Sequence, residues 1–445
     1  MSALSLGRGK AAKGKPAKKR GRPHSTEYNM LLTATLCLLA LGAVMVFSAS
    51  STTRVLQDGG LSDSAFYLKR TLMFGAVGLL IMHLVARHGL ELVRKLTPVI
   101  LGISFFLLLA VLVVGTEVNG ASRWIGGGFL QIQPSEIAKV ALILYGADLL
   151  ANKPKRARSI EGFMPFLVVV GLSCMLIMAE PDMGTTMVIT FAVAATLVAA
   201  GARPADLGKI ALVIGALALL MAVIEPYRMA RLTAFLNPTA DASGAGFQAA
   251  QAKIALGSGG LFGVGIGNGV QKAFYLPEAH TDMISAVIGE ELGLVGIAGV
   301  VGLFGMFGYA GFKTAQKARD NYSKILVAGL TSLVLVQATI NLFAVMGLAP
   351  LTGVPLPFVS YGNSSLMACL FAVGLILNVA GGGRAAARKS TPTRAGKLRV
   401  VQGGRSPARE RSRSSGARKA KGSGGGGGNR GARRARHGGR RRASG

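Results

Sequence analysis

The sequence predicts an all-α polytopic membrane protein with about ten transmembrane helices and a long extracytoplasmic segment between helices 7 and 8. Two observations support this fold class. The chain has 445 residues, of which 51% are hydrophobic and only 16% are charged. Apolar runs of about 20 residues, the length that crosses a bilayer as a helix, recur along the chain. Together they place the chain in a membrane.

Ten apolar runs are long enough to be transmembrane helices. The predicted spans cover residues 30–50, 71–87, 97–115, 135–151, 163–180, 184–200, 207–225, 284–312, 324–347 and 364–381. The first run has an apolar core of about 20 residues, which exceeds the hydrophobic region of a cleaved signal peptide. We therefore expect it to remain as a membrane anchor.

The two ends of the chain carry most of its formal charge of +31. Residues 1–29 and 383–445 are basic and polar, with few large apolar side chains, so they are predicted to be disordered tails. Residues 30–382 form the single predicted membrane domain. Because the charge sits in tails beside a membrane domain, we do not expect a nucleic-acid partner.

The loops between the spans predict the orientation in the membrane. Four loops on one side, 87–95, 152–162, 201–209 and 313–324, are basic, as are both tails. By the positive-inside rule this side faces the cytoplasm. The loops predicted on the outer side are 51–70, 116–134, 180–184, 226–283 and 347–363.

Several kinds of site are excluded by the residues present. Cys37, Cys174 and Cys369 all lie in apolar spans, which is typical of packing and indicates neither disulfides nor a metal framework. The glycine-rich stretch 257–269 lacks the lysine of a P-loop, and no S-x-x-K motif occurs. Nucleotide binding and penicillin-type serine catalysis are therefore not predicted.

Asp282 is the strongest catalytic candidate. It lies in "YLPEAHTDMISAVIGEELGLVG" (275–296), just before an apolar span and on the predicted outer side. Its carboxylate is either a general base or the N-cap of that helix. Glu290 follows eight residues later, roughly 12 Å along a helix axis, so the two acids are too far apart for a close carboxylate pair. This spacing favours a single general base.

Two further pairs of charged residues have both a local structural interpretation and a functional one. Glu136 and Lys139 lie three apart on one helix face, where they either neutralise each other or line a polar cavity. Glu180 and Asp182, in "EPDMG", belong either to a solvated turn or to the wall of an outer cavity.

A single outer base fits sugar transfer from a lipid diphosphate, in which an acceptor hydroxyl loses a proton and the diphosphate leaves. Basic side chains in the outer segments are predicted to hold the diphosphate oxygens. They are Arg123, Arg228, Arg231, Lys253 and Lys272. A divalent cation, Mg²⁺ or Mn²⁺, is expected to bridge the substrate phosphates, and no protein ligands are assigned to it.

Four segments together resemble the signature regions of the SEDS family, which comprises FtsW, RodA and SpoVE. They are 122–139, 179–186, 276–296 and 347–366, in that order within residues 30–382. Two positions depart from the family pattern: Met283 replaces an aromatic residue, and Asn363 replaces a glycine. Met fills a similar apolar volume, and Asn tolerates left-handed backbone angles.

The resemblance implies a ten-helix peptidoglycan glycosyltransferase that polymerises lipid II outside the membrane, with Asp282 as its catalytic residue. It also implies a class B penicillin-binding protein and other divisome proteins as partners. The first span, "SRWIG", and the region 236–277 look closer to the division branch, and the basic tail resembles actinobacterial extensions. The predicted substrate-binding residues are Arg123, Glu136, Lys139, Arg231, Lys253, Lys272, His280 and Ser360, and the supporting residues are Glu180, Asp182 and Glu290.

Three other functions remain open: a lipid II flippase, an elongation polymerase of the RodA type, and a divisome scaffold without chemistry. A flippase needs a continuous polar path across the bilayer, whereas the acids here concentrate at the outer ends of spans. This distribution favours chemistry at the membrane surface. A scaffold would not need Asp282.

Overall fold

The computed structural model describes residues 25–57, 65–118, 121–127, 130–152, 159–224, 229, 231, 233, 235–237 and 244–383. The predicted tails, 1–29 and 383–445, lie almost wholly outside these residues, so their assignment stays a prediction. Within the described part the chain is mostly helical, and eight helices are long and apolar enough to cross a membrane. The prediction of an all-α polytopic membrane protein is confirmed.

The helices are α1 (Thr26–Gln57), α2 (Phe66–His88), α3 (Leu90–Val114), α4 (Pro134–Asn152), α5 (Ile160–Ala179), α6 (Met183–Ala200), α7 (Pro204–Ile224), α8 (Ala245–Gly259), α9 (Gln271–Phe274), α10 (Ile284–Lys317), α11 (Asn321–Val345) and α12 (Asn363–Ala380). Ten of them correspond to the ten predicted spans. Two of these ten, α4 and α7, are not among the eight candidate spans. Helix α4 carries three charged side chains, Glu136, Lys139 and Asp148.

Local sequence explains where several helices begin and end. Pro134 and Pro204 are the first residues of α4 and α7, where a missing N–H costs nothing. The Asp182 carboxylate accepts a hydrogen bond from the Thr185 N–H at 3.0 Å and so caps α6. Gly201 ends α6 with a φ of 89°, a left-handed conformation that suits glycine.

Helix α11 lies at the centre of the described bundle and is its most buried candidate span. It packs against α4, α6 and α10, while α12 packs against α2, and α1 packs against α10. In contrast, α3 and α5 leave large apolar side chains such as Phe106 and Met175 exposed, which is the surface expected to face lipid.

A small antiparallel sheet lies between α3 and α4, in the order β1 (Thr116–Val118), β2 (Ala121–Gly127) and β3 (Leu130–Ile132). The sheet is not among the predicted elements, because it lies outside the apolar runs and because β1 and β3, of three residues each, are too short to show an alternating pattern. The sheet positions Arg123 of β2 over the turn between α5 and α6.

Helix α10 is interrupted at Gly293, whose φ of 66° and ψ of −162° are not helical. The carbonyls of Glu290 and Glu291 accept hydrogen bonds from the backbone N–H groups of residues 264 and 265, and the N–H groups of 294 and 295 donate to the carbonyls of 260 and 261. Part of the long predicted segment between spans 7 and 8 is therefore hydrogen-bonded to α10. Residues 260–265 provide hydrogen-bond partners for backbone N–H and carbonyl groups beside the interruption of α10, as a membrane interior requires.

Candidate functional site

Asp282 lies half-buried in the turn that leads into α10. The Thr281 hydroxyl contacts two carboxylates, Asp282 Oδ1 at 3.2 Å and Glu278 Oε2 at 2.8 Å. The N-cap residue of α10 is Met283, and the helix has no side-chain cap bond within the described residues. The interpretation of Asp282 as a simple helix cap is therefore wrong.

Burial, together with the nearby negative charge of Glu278, raises the pKa of Asp282 to about 6. Hydrogen bonds from its own backbone and from Thr281, and the positive charge of Arg231, oppose this rise in pKa. A carboxyl group with this pKa is mostly ionised at neutral pH, yet it is more basic than an ordinary aspartate. It is thus suited to accept a proton.

The loop between α11 and α12 forms the wall opposite Asp282. A Cβ placed on Gly353 would be 3.8 Å from Asp282 Oδ2, so the backbone at Gly353 lies against the carboxylate. Arg231 Nη1 donates a hydrogen bond to the carbonyl of Leu351 in the same loop at 2.8 Å. The structure thus brings Arg231 and Asp282 to one site, as predicted for an anionic substrate.

His280 packs within an aromatic cluster beside the catalytic candidate. Its ring centroid is 4.5 Å from that of Tyr67 and 5.6 Å from that of Tyr361, and the Tyr361 N–H donates to the His280 carbonyl at 3.0 Å. The Arg70 guanidinium lies 6.0 Å from the centre of the Tyr361 ring, and its Nε is 2.9 Å from the amide oxygen of Asn363 when that oxygen faces Arg70. Sequence reasoning missed Tyr67, Arg70 and Tyr361.

Arg123, Glu180 and Asp182 form a second group at the turn between α5 and α6. Arg123 Nε donates to the Glu180 carbonyl at 3.0 Å, and its guanidinium also contacts the Pro181 carbonyl. Glu180 and Asp182 are only 1% and 4% exposed, so the interpretation of a solvated turn is wrong. Burial, together with Asp182, raises the pKa of Glu180 to about 8, although Arg123 lowers it.

Glu136 and Lys139 form a buried ion pair on α4, with Nζ to Oε1 at 2.8 Å. Lys139 Nζ also donates to Gln337 Oε1 on α11 at 2.9 Å. The two charges are therefore paired inside the bundle, although Glu136 Oε2 is buried without a hydrogen-bond partner in the described structure. This agrees with the local interpretation of a self-neutralising pair, and a role in substrate binding stays a prediction.

Lys272 and Glu290 hold the segment that lies beside α10. Lys272 Nζ contacts Glu291 Oε1 at 2.5 Å and the Ser48 hydroxyl at 2.8 Å. Glu290 Oε1 accepts hydrogen bonds from the N–H groups of Val270 and Gln271 at 2.8 and 3.1 Å. Because the Lys272 ammonium is buried in these contacts, its predicted role in diphosphate binding has no support from its position.

The remaining predicted residues are Lys253, Ser360 and Arg228. Lys253 is exposed on α8, with its side chain against Gly347. Ser360 is buried, and its hydroxyl accepts a hydrogen bond from the Leu356 N–H at 2.8 Å. Arg228 lies outside the described residues. No group of three or more His, Cys, Asp or Glu side chains able to hold a metal occurs in the part of the chain that the structure describes.

Two amides on α11, Gln337 and Asn341, are functional candidates that sequence reasoning missed. They lie four residues apart on one face of an apolar helix, and this spacing of polar residues in a span was the available signal. Asn341 Nδ2 donates to the backbone carbonyl of Asp282 at 2.7 Å.

Comparison with known proteins agrees with the fold and the motifs. Residues 28–384 match the FtsW, RodA and SpoVE family, described as "Cell cycle protein". The chain is 40% identical over 360 residues to the "Probable peptidoglycan glycosyltransferase FtsW" of Trichlorobacter lovleyi, covering 80% of this chain and 94% of that protein. It is 41% identical over 356 residues to the "Stage V sporulation protein E" of Bacillus subtilis, covering 79% and 96%.

A solved structure is similar as well. It is described as "Structural coordination of polymerization and crosslinking by a peptidoglycan synthase complex", and it superimposes with a TM-score of 0.64 at 28% identity. The match covers 80% of this chain and 98% of that one.

Proposed function

The chain belongs to the FtsW, RodA and SpoVE family, and we propose that it is a peptidoglycan glycosyltransferase that polymerises lipid II at the outer face of the membrane during cell division. The observation that carries the proposal is the half-buried Asp282, whose pKa is raised to about 6 and which faces a loop wall next to Arg231. The FtsW name of a relative at 40% identity supports the reaction and its role in division.

The chemistry follows from one carboxylate. The acceptor sugar hydroxyl transfers its proton to the Asp282 carboxylate while its oxygen attacks the anomeric carbon of the donor. The bond from that carbon to the lipid diphosphate breaks, and the diphosphate leaves with the electron pair. Glu290 accepts hydrogen bonds from the N–H groups of Val270 and Gln271, and Glu278 shares the Thr281 hydroxyl with Asp282, so we assign the chemistry to Asp282 alone. The displacement is therefore single and inverts the anomeric centre.

Positive charge at the site would hold the diphosphate. We assign this role to Arg231, because its positive charge lowers the pKa of Asp282 and so acts at the site. A bound Mg²⁺ or Mn²⁺ would neutralise further charge on the leaving group. With fewer than three suitable ligands grouped in the described residues, such a cation would be held mainly by the substrate phosphates.

The partner and the orientation are parts of the same proposal. A class B penicillin-binding protein fits as the partner, since the similar solved structure couples polymerization with crosslinking. The ten spans predicted from the sequence and the basic loops favour both tails in the cytoplasm and Asp282 outside. A role in sporulation is the alternative branch, because the SpoVE relative is as similar as the FtsW relative.

The test is lipid II polymerisation by the purified chain, with and without its penicillin-binding partner. We expect Asp282→Asn to lower the rate by about 10²- to 10⁴-fold, because Asn keeps the shape but cannot accept the proton. Asp148→Asn is the matched control, since Asp148 of α4 forms a surface ion pair with Arg94 of α3. A native rate for Asp282→Asn would disprove the general base.

The same assay tests the cation. Excess chelator is expected to slow the native chain strongly, and added Mg²⁺ or Mn²⁺ to restore it. Undiminished turnover in chelator would show that arginine and lysine side chains suffice.

A further inference from the structure

Asn341 is a buried amide near the C-terminal end of α11, only 2% exposed. A buried carboxamide in an apolar helix is costly unless each of its polar groups is hydrogen-bonded. Here every group is used. The two Nδ2 hydrogens donate to the carbonyls of Asp282 at 2.7 Å and Val354 at 2.8 Å, and Oδ1 accepts from the Ser285 hydroxyl at 2.9 Å.

These three contacts join three separate parts of the site. Asp282 is the catalytic candidate, Ser285 lies in the first turn of α10, and Val354 belongs to the loop between α11 and α12. Val354 directly follows Gly353, whose backbone lies against the Asp282 carboxylate. One side chain therefore fixes both the main chain of Asp282 and the wall that its carboxylate faces.

Neighbouring contacts hold the same frame. One turn earlier on α11, Gln337 Nε2 donates to the Pro355 carbonyl at 3.0 Å and to the Ser365 hydroxyl at 3.2 Å. On the other side of the turn, the Tyr361 N–H donates to the carbonyl of His280. The backbone of residues 280–282 is thus tied to the loop wall at both ends, and α11 supplies the tie at Asp282.

We propose that Asn341 is a positioning residue for the reaction, which sets the distance and direction of the Asp282 carboxylate through its backbone carbonyl. The proposal rests on the proposed function. Fixing a general base against its substrate is worth a large part of the rate, and a displacement of about 1 Å costs about 10²-fold. The hydrogen bond from Asn341 reaches the backbone carbonyl of Asp282, so Asn341 acts on the carboxylate through the backbone.

The test is Asn341→Ala in the full chain, with Asn378→Ala as the matched control. Asn378 is an equally buried asparagine on α12 whose Nδ2 donates to the carbonyls of Val85 and Ala86, at the end of α2. Both variants lose a buried amide that bridges two backbone carbonyls, and Asn341 also accepts a hydrogen bond from Ser285, so the stability of each variant is measured beside kcat. Only Asn341→Ala should lower kcat, by about 10- to 100-fold, with KM changed by less than about threefold.

A second readout does not depend on activity. Hydrogen exchange of the Thr281 and Met283 amides, which both donate to the Glu278 carbonyl, should speed up in Asn341→Ala and stay unchanged in Asn378→Ala. Because hydrogen exchange needs no turnover, it tests the contact between Asn341 and the Asp282 backbone even if the parent chain proves inactive. An inactive parent chain with the expected change in exchange would contradict only the proposed function.

A milder variant covers the case in which Asn341→Ala does not fold. Ser285→Ala removes only the hydroxyl that holds Oδ1, so we expect a loss in kcat of about 2- to 10-fold and partial loss of amide protection. Native kcat and native exchange in folded Asn341→Ala or Ser285→Ala would overturn the proposal. Equal losses in Asn378→Ala would also overturn it, because they would indicate general destabilisation.

Discussion

Glu180 and Asp282 are two acids near the same face of the protein whose surroundings predict different protonation states. Glu180 has a pKa of about 8 and is therefore protonated at neutral pH, and neither of its oxygens has a hydrogen-bond partner in the described structure. Asp282 has a pKa of about 6, because Thr281 and Arg231 partly offset its burial. Of these two acids, Asp282 is the one that is ionised at neutral pH, as a general base requires.

The pKa of Asp282 predicts the pH dependence of the reaction. A general base works only when ionised, so kcat/KM should rise with pH through about 6 and level off above it. The measurement is a pH–rate profile for the native chain between about pH 5 and 8. In Glu278→Gln the neighbouring negative charge is gone, so the midpoint should move to lower pH. A flat profile would contradict the assignment.

Asp282 was predictable because its setting is local: an acid directly before an apolar span, inside a family motif. The Glu136 and Lys139 pair was predictable for the same reason, since three residues separate them. Asn341 was not, because its contact with Asp282 joins residues 59 apart in sequence. Sequence spacing reports neighbours on one helix, whereas contacts between helices depend on packing.

At the scale of elements, the interruption of α10 depends on a partner that is distant in sequence. Residues 284–312 were predicted as one span, and the glycine at 293 is one of several in that run. What distinguishes Gly293 is the chain beside it: a Cβ there would be 2.4 Å from the Gly263 nitrogen and 2.6 Å from the Leu261 carbonyl carbon. No property of the α10 sequence alone indicates that contact.

Gly293→Ala is therefore expected to destabilise the protein far more than Gly299→Ala. The first change places a Cβ against backbone at a φ of 66°, where strain alone costs about 1–3 kcal/mol. The second places it where no atom lies within 4 Å in the described structure. Thermal unfolding of both variants in detergent is the measurement. Equal midpoints would mean that the interruption does not constrain α10.

At the scale of the whole molecule, each of the ten spans predicted from hydropathy coincides with a helix, because a bilayer leaves few alternatives for an apolar chain. Eight helices of the described residues are long and apolar enough to cross a membrane. Their ends shifted by a few residues: the first span was predicted from residue 30 and begins at Thr26, and the eighth was predicted to end at 312 and continues to Lys317. The sheet of β1, β2 and β3 lies outside the apolar spans, where hydropathy carries no signal. Orientation stays a prediction that rests on the loops.

The orientation predicts that residues 384–445 lie across the membrane from Asp282. This tail is basic and glycine-rich, and each Lys or Arg near an anionic leaflet is worth on the order of 1 kcal/mol. Deleting residues 384–445 should therefore leave polymerisation in detergent nearly unchanged and weaken attachment at the membrane surface in cells.

Cysteine labelling with an impermeant maleimide checks the orientation: in intact cells Gly127→Cys should react and Ser444→Cys should not. Labelling of Ser444→Cys from outside would place the tail on the same side as Asp282, and the number of spans between them would then be even instead of three.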